Sequence, residues 1–300
     1  MLRSLALLGA LTYVAAAASA PVREVTSEAA NASVPPRFFK GYIYWAGREP
    51  LRIYTPDGYQ MPVTPPSKGT AQAIAVDTNG ALAIAWTTPS TGGIDLYDSS
   101  GALVRTIQTS RYLPAYLSFA DDHCLWSLGW QMTSRPYNPT RDDYMIVRKF
   151  LPNGQQAGAY LPRSQFPDGL EPGDEARRLT NCITLSHDRV GLLVNSGMYG
   201  NKTEWVELDL NGNLTGRWRL DQFVNELRVA FTSDDHIFVY YRGMDGRNPH
   251  LSTLDREAST WKQVQWQWAP NGYLASADGE QLIFTDYRSG PIHVGWYEQP

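Results

Sequence analysis

Cysteine is nearly absent from this sequence, which contains only Cys124 and Cys182 among 300 residues. Two cysteines cannot form the disulfide framework that stabilises many small exported domains. The fold must therefore depend on burial of apolar side chains, and a hydrophobic fraction of 43% is enough for a sizeable core. The same fraction, with only 19% charged residues, argues against global disorder.

The local motifs of four common enzyme classes are also missing. The sequence has no Gly-x-Ser-x-Gly elbow, no His-Glu-x-x-His pair, no phosphate-binding loop and no Cys-x-x-Cys. Their absence argues against those four classes, although single residues from distant segments can still form an active site. We predict no cofactor.

Basic residues are not in excess, since 26 Lys and Arg oppose 30 Asp and Glu. The resulting mildly acidic surface argues against broad binding to nucleic acids or to anionic membranes. We therefore predict no nucleic-acid partner.

Only one long apolar run occurs, from Leu5 to Ala18. It follows one positive charge and ends in small residues, which is typical of a secretory signal peptide. The alternative, a membrane anchor, needs a longer apolar stretch to span the bilayer. We predict a signal peptide over residues 1–20, and a secreted or periplasmic domain over residues 21–300 without stable membrane insertion.

What the sequence does contain is an internal repeat of short apolar runs that end in turns. One series runs into turns with Asp-Gly, Asn-Gly or similar residues: Leu51–Tyr54, Ile94–Tyr97, Tyr144–Val147, Trp205–Leu208 and Leu251–Leu254, the last without Gly. These turns lie 43 to 58 residues apart. A second series interleaves with it: Ile74–Asp77, Tyr116–Phe119, Ile183–Leu185, Leu227–Phe231 and Tyr273–Leu274. Each period thus holds two hairpins, or four strands, as in a propeller blade.

The repeat predicts an all-β chain that forms a single β-propeller, with six blades favoured and five or seven open. Four complete periods cover 71–109, 113–163, 177–220 and 224–267, and the two ends, 38–66 and 272–297, supply about three strands each. The segment Val22–Glu28 is expected to add the outer strand of the last blade and close the ring, which removes exposed sheet edges. The alternative, a pair of β-sandwiches, requires a linker near the middle, where the composition does not change.

Tyr44-Trp45-Ala46-Gly47 is close to the YWTD repeat signature, and Phe284-Thr285-Asp286 is a second partial copy. In pattern, the chain resembles the broad group of six-bladed propellers that includes TolB-like, NHL-type and YWTD-type proteins. No blade carries a complete family signature, so the resemblance implies the architecture and no particular activity.

The predicted fold has two unlike faces. We call the face with the A–B and C–D turns the turn face, and the face with the B–C loops and the links between blades the mouth face. Function is expected on the mouth face, where the longer segments lie. Aromatic and arginine residues cluster at the predicted ends of the B strands and suit a protein, peptide or glycan ligand: Trp45, Arg48, Trp86, Trp130, Arg135, Tyr241, Arg242, Tyr287 and Arg288. The alternative role for these aromatics is packing between blades.

Two insertions, 131–143 and 163–180, are expected to form a rim or lid on the mouth face. They carry adjacent carboxylates, Asp142 with Asp143 and Asp174 with Glu175, which we interpret as a solvated rim because neighbours in sequence usually point apart.

His123, His187 and His236 fall at equivalent A–B turns of three successive blades. His123 and His236 are predicted to lie a whole blade apart, too far to share one ion, so we predict no metal site. Cys182 is placed near the mouth face and Cys124 near the turn face, so we predict two free, buried thiols.

Two functions from different classes remain. The first, which we favour because no reactive motif is visible, is a monomeric, exported binding or scaffolding protein. The second is an exported hydrolase or lyase acting on a glycan or a small metabolite, which would need a pair of carboxylates, or a histidine with a carboxylate, converging in the funnel.

Overall fold

The structure, a computed structural model, describes residues 20–27, 36–46, 51–64, 66, 69–131, 144–166, 183–196, 202–220, 227–242, 249–265, 272–286 and 291–300; the side chains of residues 27, 195, 196, 202 and 242 are not included. In chain order the strands are β1 (Arg23–Ser27), β2 (Arg37–Phe39), β3 (Tyr42–Trp45), β4 (Arg52–Tyr54), β5 (Thr70–Val76), β6 (Leu82–Thr87), β7 (Gly92–Tyr97), β8 (Leu103–Ser110), β9 (Tyr112–Phe119), β10 (Leu125–Gln131), β11 (Met145–Phe150), β12 (Gln156–Pro162), β13 (Ile183–Leu185), β14 (Arg189–Ser196), β15 (Lys202–Asp209), β16 (Leu214–Arg219), β17 (Arg228–Phe231), β18 (Ile237–Arg242), β19 (Pro249–Asp255), β20 (Thr260–Val264), β21 (Tyr273–Asp278), β22 (Gln281–Asp286) and β23 (Ile292–Tyr297).

These strands form six antiparallel sheets, which confirms the predicted six-bladed β-propeller. Blade 1 contains β2–β4, blade 2 β5–β8, blade 3 β9–β12, blade 4 β13–β16, blade 5 β17–β20, and blade 6 β21–β23 together with β1. The first strand of each blade, strand A, lies innermost, since β5 contacts β9, β17 contacts β21, and β2 contacts both β21 and β5. The following strands B, C and D lie progressively further out.

The ring closes where the sequence predicted. Strand β1 pairs antiparallel with β23, from Arg23 opposite Trp296 to Ser27 opposite Ile292. The guanidinium group of Arg23 lies 4.4 Å from the ring centre of Trp296 and forms an ion pair with Asp57 of blade 1. The N-terminal strand therefore completes blade 6 and also contacts its neighbour.

The core lies between the sheets, where large aromatic side chains fill the space that the diverging blades leave. Trp126, Trp205 and Trp296 are almost completely buried in blades 3, 4 and 6. Trp205 packs edge-to-face on Phe231 of blade 5, with ring centres 5.5 Å apart. Tyr240 of blade 5 packs in the same way on Tyr273 of blade 6, with ring centres 6.0 Å apart, so aromatic contacts join blade 4 to blade 5 and blade 5 to blade 6.

One turn geometry recurs on the turn face. In seven five-residue turns, the first N–H donates to the fifth carbonyl and the fourth N–H donates to the first carbonyl; they span 55–59, 77–81, 98–102, 120–124, 151–155, 209–213 and 232–236. The fourth residue is in the left-handed region, which favours glycine, and five of the seven turns have glycine there. The exceptions are His123, with φ 61°, and Asp235, with φ 66°.

A buried ion cluster joins blades 4 and 5 near the turn face. Glu207 on β15 is completely buried. It accepts hydrogen bonds from Arg256 of blade 5 at 2.7 to 3.2 Å, from Arg189 at 3.2 Å and from the Trp205 indole at 2.8 Å. A buried carboxylate is tolerated only with such partners, so this cluster fixes the two blades relative to each other.

The described residues contain one short 3-10 turn, Arg163–Gln165. None of the helices in this part of the chain has the length and apolar character needed to cross a bilayer.

Candidate functional site

The two faces differ in the length of their connections. On the turn face, A–B and C–D connections contain two to five residues. On the mouth face, the B–C connection between β10 and β11 has 13 residues, and the link between β12 and β13 has 20. These are the two insertions that the sequence predicted. Because every sheet has the same strand order, both long segments begin and end at the same face of the propeller.

Two of the predicted ligand-binding aromatics have packing partners. Trp45 and Trp86 are each only 2% exposed. The indole Nε1 of Trp86 donates to Oδ1 of Asp95 at 3.1 Å, a bond that also satisfies a buried carboxylate. Trp45 packs edge-to-face on Tyr54, and the guanidinium group of Arg52 lies 5.0 Å from its ring centre. Both indoles therefore stabilise their blades.

Trp130 and Tyr241 are only half-buried, at the mouth-face ends of strands B in blades 3 and 5. Tyr241 stacks on His250, with ring centres 5.2 Å apart and an angle of 23° between the planes. The amide of Gln263 lies 3.1 Å from Nδ1 of His250. This contact fixes the imidazole and, through it, one face of the Tyr241 ring.

The remaining predicted residues, Arg48, Arg135, Tyr287 and Arg288, lie outside the described residues, as does the side chain of Arg242. The same holds for both carboxylate pairs in the insertions and for Cys182.

The start of the longer insertion is anchored to blade 4. Phe166 is 1% exposed and packs in the core cluster between blades 3 and 4. The guanidinium group of Arg217 lies 4.7 Å from the Phe166 ring centre and donates to the carbonyl oxygen of Gln165 at 3.4 Å. Arg217 also forms an ion pair with Glu204. The segment thus leaves the propeller from a fixed point.

Sequence reasoning missed a polar group on the inner strands of blades 1 and 2. A β-bulge lies at Gln72, where the register shifts between Ala71 and Ala73. The carbonyl oxygen of Gln72 accepts a hydrogen bond from Arg37, and its side-chain amide donates to Thr87 at 2.9 Å. A bulge leaves no signal in a single sequence, because it depends on how the two strands pair.

The three histidines lie on A–B turns of successive blades, as predicted, and each contacts a carboxylate. Nδ1 of His123 lies 2.7 Å from Asp77, that of His187 lies 2.8 Å from Asp121, and that of His236 lies 2.9 Å from Asp234. The hydrogen bond to Asp121 raises the pKa of His187. No group of three or more potential metal ligands occurs within the described ranges.

Cys124 is a free thiol in the described structure and is buried, in agreement with the prediction for this residue. Burial raises the pKa of its thiol to about 11, with a smaller contribution from Asp122. A thiol with such a pKa is a poor nucleophile at neutral pH.

No protein-family model and no curated protein matches the sequence. Solved structures match the fold. The hydrazine synthase of Kuenenia stuttgartiensis superposes with a TM-score of 0.53 at 10% identity, covering 93% of this chain and 80% of that chain. A gluconolactonase from Xanthomonas campestris superposes with a TM-score of 0.52 at 13% identity, covering 87% of this chain and 85% of that chain. At such low identity these similarities show the fold alone.

Proposed function

We propose that this chain is an exported binding protein whose ligand, a peptide, a protein segment or a glycan, docks on the mouth face of the propeller. The observation that carries the proposal is the concentration of long connections on that face, above a turn face whose connections are short and regular. Loops on a rigid scaffold are the usual place for recognition, because they tolerate variation that the sheets do not.

Two half-buried aromatic rings on this face could contact a ligand through their apolar surfaces. Trp130 and Tyr241 lie at equivalent strand ends of blades 3 and 5, on the two sides of blade 4. Rings of this kind offer a large apolar surface at a small cost in conformational entropy. They suit the faces of sugar rings or the apolar side chains of a peptide.

The stacking of Tyr241 on His250 supports this role. Its ring plane is held by His250, which is itself in contact with Gln263, so little rotameric freedom remains to be lost on binding. An aromatic ring with a fixed orientation binds more tightly than one that must be ordered by the ligand.

The experiment is a thermal-shift screen of the purified residues 21–300 against oligosaccharides and a peptide library. A ligand present at about 100 times its Kd stabilises the folded protein by about 2.7 kcal/mol, which the assay resolves. We expect the hit to lose at least about tenfold in affinity with Trp130→Ala or Tyr241→Ala, by analogy with the typical effect of removing an aromatic anchor.

Tyr59→Ala is the matched control, because Tyr59 is 73% exposed and lies in a turn of the opposite face. Circular dichroism and the melting temperature of each unliganded variant establish that the fold is retained. A hit that survives both mouth-face substitutions but is lost with Tyr59→Ala would place the ligand on the turn face and reject the proposal.

A further inference from the structure

The A–B turns of blades 2, 3 and 4 are joined by hydrogen bonds from histidine to aspartate. His123 of blade 3 donates to Asp77 of blade 2 across 2.7 Å, and His187 of blade 4 donates to Asp121 of blade 3 across 2.8 Å. Both contacts run in the same direction, from one blade to the blade before it. The two contacts therefore join three successive blades at the turn face.

Asp77 needs its histidine partner because its side chain is only 3% exposed. Its Oδ1 accepts a hydrogen bond from the N–H of Thr78 at 2.8 Å, and its Oδ2 faces the imidazole of His123. Among the described residues, His123 is the one residue of another blade whose side chain hydrogen-bonds to this carboxylate. A buried carboxylate is costly unless such a partner is present.

The backbone of His123 adopts a conformation that is unfavourable for a residue with a side chain. His123 has φ 61°, whereas the equivalent residue of blade 2 is Gly80, which adopts the same region without strain. A non-glycine residue in the left-handed region costs about 1 kcal/mol or more, and such residues tend to mark functional positions. At this position the imidazole provides the contact between blades that glycine cannot.

His187 lies in a strongly acidic environment. It faces Asp121 of blade 3, Asp188 of its own turn and Asp235 of blade 5, and all three carboxylates favour the protonated ring. The opposing charge is Arg189, whose guanidinium group lies 3.5 Å from Asp188 and 3.6 Å from Asp235. The groups near His123 are Asp77 and, in its own turn, Asp122, which is paired with Lys149 at 3.6 Å.

We propose that the contact between His187 and Asp121 forms a proton-dependent link that joins blades 3 and 4 more strongly in mild acid than at alkaline pH. A protonated ring makes this contact an ion pair, whereas a neutral ring keeps only a hydrogen bond. The contact between His123 and Asp77 joins blades 2 and 3 as a hydrogen bond. The link is independent of any ligand on the mouth face.

The direction of this pH dependence follows from the linkage between protonation and folding. The pKa of His187 is raised in the folded protein by its hydrogen bond to Asp121. A raised pKa gives stability that is fully present below the unfolded value of about 6.5 and is lost as pH rises through the folded value. Carboxylates keep their charge down to about pH 4, which sets the lower end of the window.

The test is urea unfolding at about pH 5.5 and about pH 8.5, on either side of the ordinary histidine pKa of about 6.5. The wild-type protein is expected to have the higher urea midpoint at the lower pH, and His187→Gln is expected to make the difference between the two midpoints smaller. His250→Gln is the matched control, because His250 contacts Tyr241 and Gln263 and has no described carboxylate partner. A pH difference that is absent from the wild type, or unchanged in His187→Gln, would overturn the proposal.

A second measurement does not depend on the folding of His187→Gln. The chain has five histidines, so their ring proton signals can be followed individually by NMR during a pH titration. The pKa of His187 is expected to fall when Asp121→Asn removes the charge of its partner. An identical titration curve in the two proteins would overturn the link between blades 3 and 4.

Discussion

The turn face and the mouth face are built from the same six sheets, yet they differ in the length, regularity and residue content of their connections. The turn face repeats one five-residue hydrogen-bonding pattern seven times, and polar contacts such as His123–Asp77 and Ser186–Asp235 join its blades. At the mouth face the long connections begin and end, and the half-buried rings of Trp130 and Tyr241 lie there. The difference suggests that one face holds the ring together and that the other is free to vary.

The largest change in stability is expected when two glutamates on the same strand, β15, are compared. Glu207 lies near the turn face, buried between Arg189 and Arg256, whereas Glu204 lies nearer the mouth face and pairs with Arg217. Glu207→Ala is expected to lower the free energy of unfolding by about 2–3 kcal/mol, because it leaves two partly buried guanidinium groups and the buried Trp205 indole without their acceptor. Glu204→Ala is expected to cost less than about 1 kcal/mol.

Urea unfolding of the two variants measures this difference. Equal losses of stability would contradict the view that blade-to-blade polar contacts near the turn face matter more than those nearer the mouth.

A smaller effect is expected from the left-handed turn position. Gly101 has φ 83°, and a Cβ added there would lie 2.7 Å from the carbonyl oxygen of Pro62. Gly101→Ala is therefore expected to lower the free energy of unfolding by about 1–3 kcal/mol through backbone strain and overpacking.

Ser259→Gly is the reverse control, because Ser259 is exposed and has φ 52°. It is expected to stabilise the protein by less than about 1 kcal/mol. Thermal unfolding of both variants is the measurement, and a Gly101→Ala protein as stable as the wild type would count against the role of this turn.

The smallest expected effect is acid sensitivity of the C–D turns. The hydrogen bond from Ser100 lowers the pKa of Asp98, and the hydrogen bond from the side chain of Asn213 lowers that of Asp209. Because these pKa values are depressed on folding, the stability they give is present above the unfolded value of about 3.9 and is lost as pH falls through the folded values. The double variant Asp98→Asn, Asp209→Asn should show a smaller drop in urea midpoint between about pH 5 and about pH 3 than the wild type. An equal drop in both proteins would show that acid acts elsewhere.

The turn face could be predicted from the sequence more completely than the mouth face. Turns with Asp-Gly or Asn-Gly at regular spacing predicted the hairpins, their pairing into blades and the placement of His123, His187 and His236 on A–B turns. The alternation of apolar runs predicted the strands to within a few residues, and Val22–Glu28 was correctly expected to pair with the last blade. These features are local, so composition and spacing are enough to reveal them.

The functional role of the aromatic residues could not be read in this way. Trp45, Trp86, Trp130 and Tyr241 share a position at the end of strand B, yet the first two are buried and the last two are half-buried. Whether a ring faces a neighbouring blade or solvent depends on strand register and on the side chains of that blade, which are distant in sequence. The ligand-binding role of Trp130 and Tyr241 therefore stays a prediction.

The sequence by itself determined the repeat, the number of blades that it favours and the closure of the ring, because each follows from short-range hydrogen bonding in turns and from the two-residue period of strands. Only the tertiary structure decided which charged residues meet across blades, such as Glu207 with Arg256, Asp77 with His123 and Arg37 with the bulge at Gln72. Those pairs join residues 35 to 49 positions apart, and the geometry of the ring alone brings them within bonding distance.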